Sequence, residues 1–227
     1  MNIFCSKHYI TTDTQGRITS GWSDGPHPER DITGAICINE HGGYQFRLLP
    51  AGEENPPLRT MDGVPLYKWD GSKVVPRTEA ELEADRLPGL KAALLSALSA
   101  ACNAAITAGC DVALSDGSTG HISLTAEDQI NLTNAAAAVE GGAEAYPYHL
   151  DGQLCALYTA ADVMAMAQAA TVHKLYHTTY YNHLAAWVRR CETAEELSAV
   201  TYGAKLPEDL ADNMAAILDA AGDEGTK

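Results

Sequence analysis

At Arg77 the sequence changes character. Alanine occurs twice in residues 1–77 and 35 times in residues 78–227, while seven of the ten prolines precede the break. Alanine is the strongest helix former and proline a helix breaker, so a turn-rich β segment is followed by a helical one. Charge divides at the same point. Residues 1–77 hold 8 basic and 9 acidic side chains, a net of -1, whereas residues 78–227 hold 7 and 21, a net of -14. The expected fold class is α+β: a small antiparallel β domain over 1–77, an Ala-rich helical domain with two hairpins over 78–221, and a frayed tail at 222–227.

The charge excludes one class of partner. An acidic surface repels phosphate, so binding to DNA or RNA through counterion release is not expected. No apolar run is read as long enough to span a bilayer, and Met1–Ile10 lacks the basic and apolar stretches of a signal peptide, so no membrane partner is expected either. Six cysteines at positions 5, 37, 102, 110, 155 and 191 form no CxxC pair, which favours reduced thiols over a disulfide framework.

Local turn chemistry places the elements. HYITTD meets RITSGW across Thr14-Gln15-Gly16, AICIN meets YQFRLL across His41-Gly42-Gly43, and PLYKW meets KVVPR across Asp70-Gly71-Ser72. Phe4, Ile36, Ile38, Phe46, Leu48, Tyr67 and Trp69 supply a thin core. Thr78 and Glu81 form a capping box for a helix over 79–108, with Pro88-Gly89 kinking or splitting it and Gly109 as its stop. Hairpins are expected around Asp116-Gly117 and Asp151-Gly152. Thr125 with Asp128, Thr159 with Asp162, and Thr193 with Glu196 open further helices, and Pro207 begins the last. Spacings of 38, 8, 46 and 35 between the five Asp-Gly steps exclude a fixed-period repeat.

No GxSxG, P-loop, GxGxxG or HExxH motif occurs, and no catalytic or cofactor-binding residue is assigned. His173 and His177 stand at i, i+4 and are the candidate metal ligands. The intervening KLY offers no general base, His183 faces elsewhere, and solvated or core-edge histidines are preferred. The acidic pairs Glu53-Glu54, Glu127-Asp128 and Glu195-Glu196 read as loop solubility or first-turn charge. Tyr176, Tyr180, Tyr181 and Trp187, with Trp69 in the β segment, are the candidate partner contacts, because aromatic residues are enriched at interfaces.

The segment DGVPLYKWDGSKVVPRTEAELEAD resembles a joint in phage and prophage tail proteins, including tail-fibre assembly proteins. There a β domain ends in an aromatic, Asp-Gly hairpin and steps into a Glu-rich helix. The matching positions are Trp69, Asp70, Gly71, Val74, Thr78 and Glu81. Residues 79–191 are similar to a domain of unknown function that recurs in tail-fibre and tail-region proteins. The likeness rests on Gly109-x-x-Val112-x-Leu114, Asp128-Gln129-x-Asn131 and Thr159-Ala160-Ala161-Asp162. It implies a context and not a reaction: a non-enzymatic structural or accessory tail protein, found in the host cytoplasm during assembly or in the virion tail. Its partners would be other tail or fibre proteins, with a homo-oligomer also considered. Two further readings are a tail-fibre assembly chaperone and an acidic inhibitor of a host defence protein.

Overall fold

A computed structural model describes residues 6–50 and 55–224, with side chains described to residue 221. Phe4 and the middle of the loop after Leu48 fall outside these residues. The expected tail is described only along the backbone to Glu224. The architecture is α+β, and the chain divides into two compact units, Met1–Gly89 and Leu90–Lys227.

The first unit is built on β1 (His8–Thr12), β2 (Ile18–Ser23) and β3 (Ile36–Asn39), in the antiparallel order β2-β1-β3. β4 (Tyr67–Trp69) and β5 (Val74–Pro76) form a separate hairpin. Ile10, Ile18 and Leu48 are the buried centre, with Ile36, Ile38, Phe46 and Trp69 packed on them. The expected AICIN–YQFRLL hairpin is corrected: β3 pairs with β1, and the described residues 44–49 form no strand. A buried side chain competes with the ladder. The His8 ring, fully buried, bonds the Gly43 carbonyl at 3.0 Å through Nε2, and its Nδ1 lies 3.3 Å from the Arg47 amide. Asn55 takes the next groups, accepting from the Leu48 amide at 2.9 Å and donating to the Phe46 carbonyl at 3.2 Å. The segment's polar backbone is satisfied by side chains, so it has no need of β3.

Helix α1 (Glu79–Ala108) starts in the first unit and continues into the second, with Pro88 inside it; it is not split there. Its capping box forms, the Thr78 amide donating to Glu81 at 2.9 Å and the Glu81 amide to Thr78 Oγ1 at 3.3 Å. The unit boundary lies at Gly89 because the first turns of α1 are tied to the β segment. Asp85 pairs with Arg17 and Arg77, each at 2.8 Å, and Glu81 with Lys68 at 2.6 Å.

The second unit alternates helices and hairpins as expected: β6 (Cys110–Ala113) with β7 (Thr119–Ile122), α2 (Ala126–Glu140), then β8 (Ala145–Tyr148) with β9 (Ala156–Thr159). They are followed by α3 (Ala160–Arg190), α4 (Ala194–Ser198) and α5 (Glu208–Glu224). Its core joins Val112, Ile122 and Leu124 to Leu132, Tyr148, Leu150, Val163 and Met166. Carboxylates stitch these elements together. Buried Asp162 accepts from Thr159 Oγ1 at 2.6 Å and from the Ser115 amide at 2.7 Å, fixing the start of α3 to the β6–β7 turn. Asp151, between β8 and β9, accepts from the Ser123 amide and hydroxyl after β7.

One expectation about α1 needs correction. The helix contains an 18-residue window of mean hydropathy 1.4, of which 11% is buried, so by length and composition it could cross a membrane. Eight of residues 91–108 are alanine and only Lys91 is charged, so the stretch is apolar through many small side chains and few large ones. One side of this stretch packs within its unit through Leu98 and Cys102, while Ala92, Ala93, Ser96, Ala100 and Ala104 face outward.

Candidate functional site

Helix α3 leaves the hairpin core at Ala170 and carries its aromatic residues past α1 on one side and α5 on the other. On the α1 side, Cys102 Sγ donates to the His177 carbonyl, and the His173 ring bonds the Ala105 carbonyl at 3.0 Å. On the α5 side, buried His183 bonds Asn213 Oδ1 at 2.9 Å and the Thr179 carbonyl at 2.7 Å. Leu210 and Met214 of α5 are buried.

The loop from Val200 to Leu206 closes the end of this arrangement. Tyr180 Oη donates to the Ala204 carbonyl at 2.6 Å and accepts from the Gly203 amide at 3.0 Å, so one phenol fixes the loop. Tyr202 turns inward beside His177, its hydroxyl 2.8 Å from Nδ1. The rings of Tyr176, His177, Tyr180 and Tyr202 form a continuous cluster with centroid separations of 5.2 to 6.2 Å.

Between this cluster and α5 lies an open groove of about 530 Å³. Tyr176 and Tyr202 line one side and Ala211, Ala215 and Leu218 the other, with Tyr180, Leu206 and Met214 the buried residues of the lining. Tyr176 also borders a shallower hollow lined by Val172, which is 54% exposed. Lys205 is the one lysine or arginine of the lining. Burial raises the Tyr202 phenol well above its ordinary range, so it stays neutral. Burial, aided by neighbouring His173, holds His177 below the usual histidine range, so this imidazole is neutral near pH 7.

These partners occupy the two histidines considered as metal ligands. Their rings stand edge to face at 4.4 Å, but one nitrogen of His173 serves the Ala105 carbonyl and one of His177 serves Tyr202. Among the described residues, no three His, Cys, Asp or Glu side chains converge to hold a metal ion. Of the aromatic contact candidates, the groove brings together Tyr176, at 46% exposure, and Tyr180, whose ring is buried. Tyr181 and Trp187 are half-buried on other parts of α3, and Trp69 packs on the core of the first unit. Tyr202, Lys205 and the α5 face escaped the sequence reading. The Leu210, Met214, Leu218 spacing was a visible signal for that face, but its partner was not.

No curated protein and no solved structure matches the chain. Residues 89–202, half of the chain, match a domain of unknown function (DUF4376). This region takes in the Tyr176, His177, Tyr180 and Tyr202 side of the groove and stops before α5. By that match, the chain belongs to the DUF4376 family.

Proposed function

We propose that the chain is a non-enzymatic phage tail-associated protein, structural or accessory, that acts through protein–protein contacts. The observation that carries the contact reading is the aromatic groove of the second unit, with exposed Tyr176 on its edge and exposed Val172 beside Tyr176. Apolar surface of this kind, contiguous and open, is costly to leave in water and is typical of sites that bind another macromolecule. A second apolar exposure, Leu154 and Leu157 on the β8–β9 hairpin, supports the same reading. The tail context rests on the resemblance of residues 62–85 and 79–191 to tail-region proteins.

A protein is preferred to a bilayer as partner despite the apolarity of α1. Lys91 Nζ donates to the Arg189 carbonyl at 3.0 Å, and Cys102 and Ala105 are bonded to α3 further along. Insertion of α1 into a bilayer would break these contacts and carry an acidic unit to the membrane surface. The discriminating experiment tags the full chain in the cells that encode it and analyses co-purifying proteins and purified particles by mass spectrometry. A tail or fibre protein recovered from lysate, or the chain found in particles, supports the proposal. Absence from particles together with recovery of no tail protein rejects it. Recovery from lysate with absence from particles would favour the chaperone role.

A further inference from the structure

We infer that the groove between α3 and α5 docks an amphipathic helix of a partner protein whose polar face is basic. This rests on the reading of the second unit as a contact module and specifies the chemistry of what it contacts.

The shape of the groove argues for a helix. Ala211 and Ala215 lie one turn apart on α5 and leave space between the larger Tyr176 and Leu218. Small residues set between large ones receive side chains from a third helix, as a hole receives a knob. An extended peptide would lay its N–H and C=O groups against apolar side chains, and the groove is lined by helices and a loop, with no strand edge to pair them. A helix brings its backbone bonds with it.

Charge decides the sign of the partner. From Leu90 onward the chain has 17 acidic and 6 basic residues, a net of -11, and α5 contains no basic residue at all. Asp212 and Asp219 stand at i-3 and i+4 from Ala215 of the lining, on one flank of the groove face of α5, and are exposed; Asp209 is paired with Arg190. They form an acidic rim beside an apolar floor. Lysine or arginine flanking the apolar face of the incoming helix complements this rim, whereas a second copy of the chain would present like charge and be repelled.

The test uses the full chain and a fluorescent 18-residue peptide with leucine at i, i+3, i+4 and i+7 spacing and lysine elsewhere. Two controls are a scrambled peptide of the same composition and a peptide with glutamate for lysine. Anisotropy should show the basic amphipathic peptide binding about tenfold or more tightly than either control. Ala215→Trp, which fills the groove from an exposed position, should weaken binding about tenfold. Tyr176→Ala, on the exposed rim, should weaken it several-fold, so the assignment does not depend on the folding of a single variant. Asp212→Asn with Asp219→Asn should weaken binding and reduce its salt dependence. Equal affinity for the scrambled peptide, or unchanged affinity in both groove variants, overturns the inference. Tighter binding of the glutamate peptide overturns the assigned charge. The particle experiment is read without the groove, so either result stands independently of the other.

Discussion

Gly109 ends α1 with φ of +86°, and a Cβ at this position would lie 1.9 Å from the Ile122 carbonyl oxygen. Both the left-handed backbone and the close approach of β7 therefore require glycine. Gly109→Ala should cost about 2–4 kcal/mol in urea denaturation, combining backbone strain with displacement of a neighbouring strand; a loss under about 1 kcal/mol would show that the junction yields freely. Two histidines should act on stability with opposite signs. His121, beside the α1 terminus, bonds Asp111 at 2.7 Å and the Ala108 carbonyl at 2.8 Å, and Asp111 foremost raises it above the ordinary range. Its contribution is fully present below the unfolded-state value near 6.5 and is lost as pH rises through the raised folded value. At 42% side-chain exposure, screening keeps the effect below about 1 kcal/mol. His177, lowered by burial, costs stability as pH falls below about 6.5, where the unfolded chain begins to take up its proton. Melting curves from pH 5 to 8 should lose their alkaline slope in His121→Gln and part of their acid slope in His177→Gln. The helix-opening pairs Thr78 with Glu81 and Thr125 with Asp128 were legible in the sequence because both partners lie within one turn. The partners of His121 and His177 were not, since they belong to separate elements.

Elements formed where their signals were local and changed partners where the competing group was distant. The β6–β7 hairpin has its turn residues at hand, Asp116 Oδ1 accepting from the Ser118 amide at 2.8 Å. Residues 44–49 had an equally plain hairpin signal and left β3 because His8, 35 residues before Gly43, captured the backbone groups. The groove was half legible for a similar reason: the tyrosines of α3 stood out, but that α5 would face them is a tertiary outcome. Asp162 shows how one side chain couples elements. It belongs to the α3 capping arrangement and also accepts from Ser115 in the β6–β7 turn, and both bonds hold its carboxyl below the usual range. Asp162→Ala removes the cap partner and releases the Ser115 amide, on an exposed residue, to water, a loss of about 1–2 kcal/mol. Hydrogen exchange should show residues 113–118 opening with the first turn of α3. Faster exchange at α3 alone would mean that the hairpin and helix are not coupled through this group.

At the scale of the whole molecule, the family match and the structural unit have different limits. The match ends at Tyr202, yet Leu206, Leu210 and Met214 beyond it are buried. The net charge of -15 is concentrated after Arg77, where carboxylates such as Glu81, Asp128 and Asp162 open helices and Asp116 closes a turn. A cut at Tyr202 would keep those caps and uncover apolar surface instead. Each buried leucine or methionine contributes about 1.5–3 kcal/mol, so removing α5 with Leu206 withdraws roughly 5–9 kcal/mol, comparable to the whole stability of an ordinary domain. At the other end, a cut after Arg77 keeps the Thr78–Glu81 cap of α1, whereas a cut at Gly89 leaves that helix with Leu90 and no capping side chain. The chain 78–224 should therefore unfold cooperatively, with a urea midpoint similar to that of the second unit in the full chain. The chain 78–202 should bind a hydrophobic dye, lose near-ultraviolet ellipticity from the tyrosine cluster and aggregate. If 78–202 instead retains a cooperative transition, α5 is an accessory that covers the Tyr176–Tyr202 surface without supporting the fold.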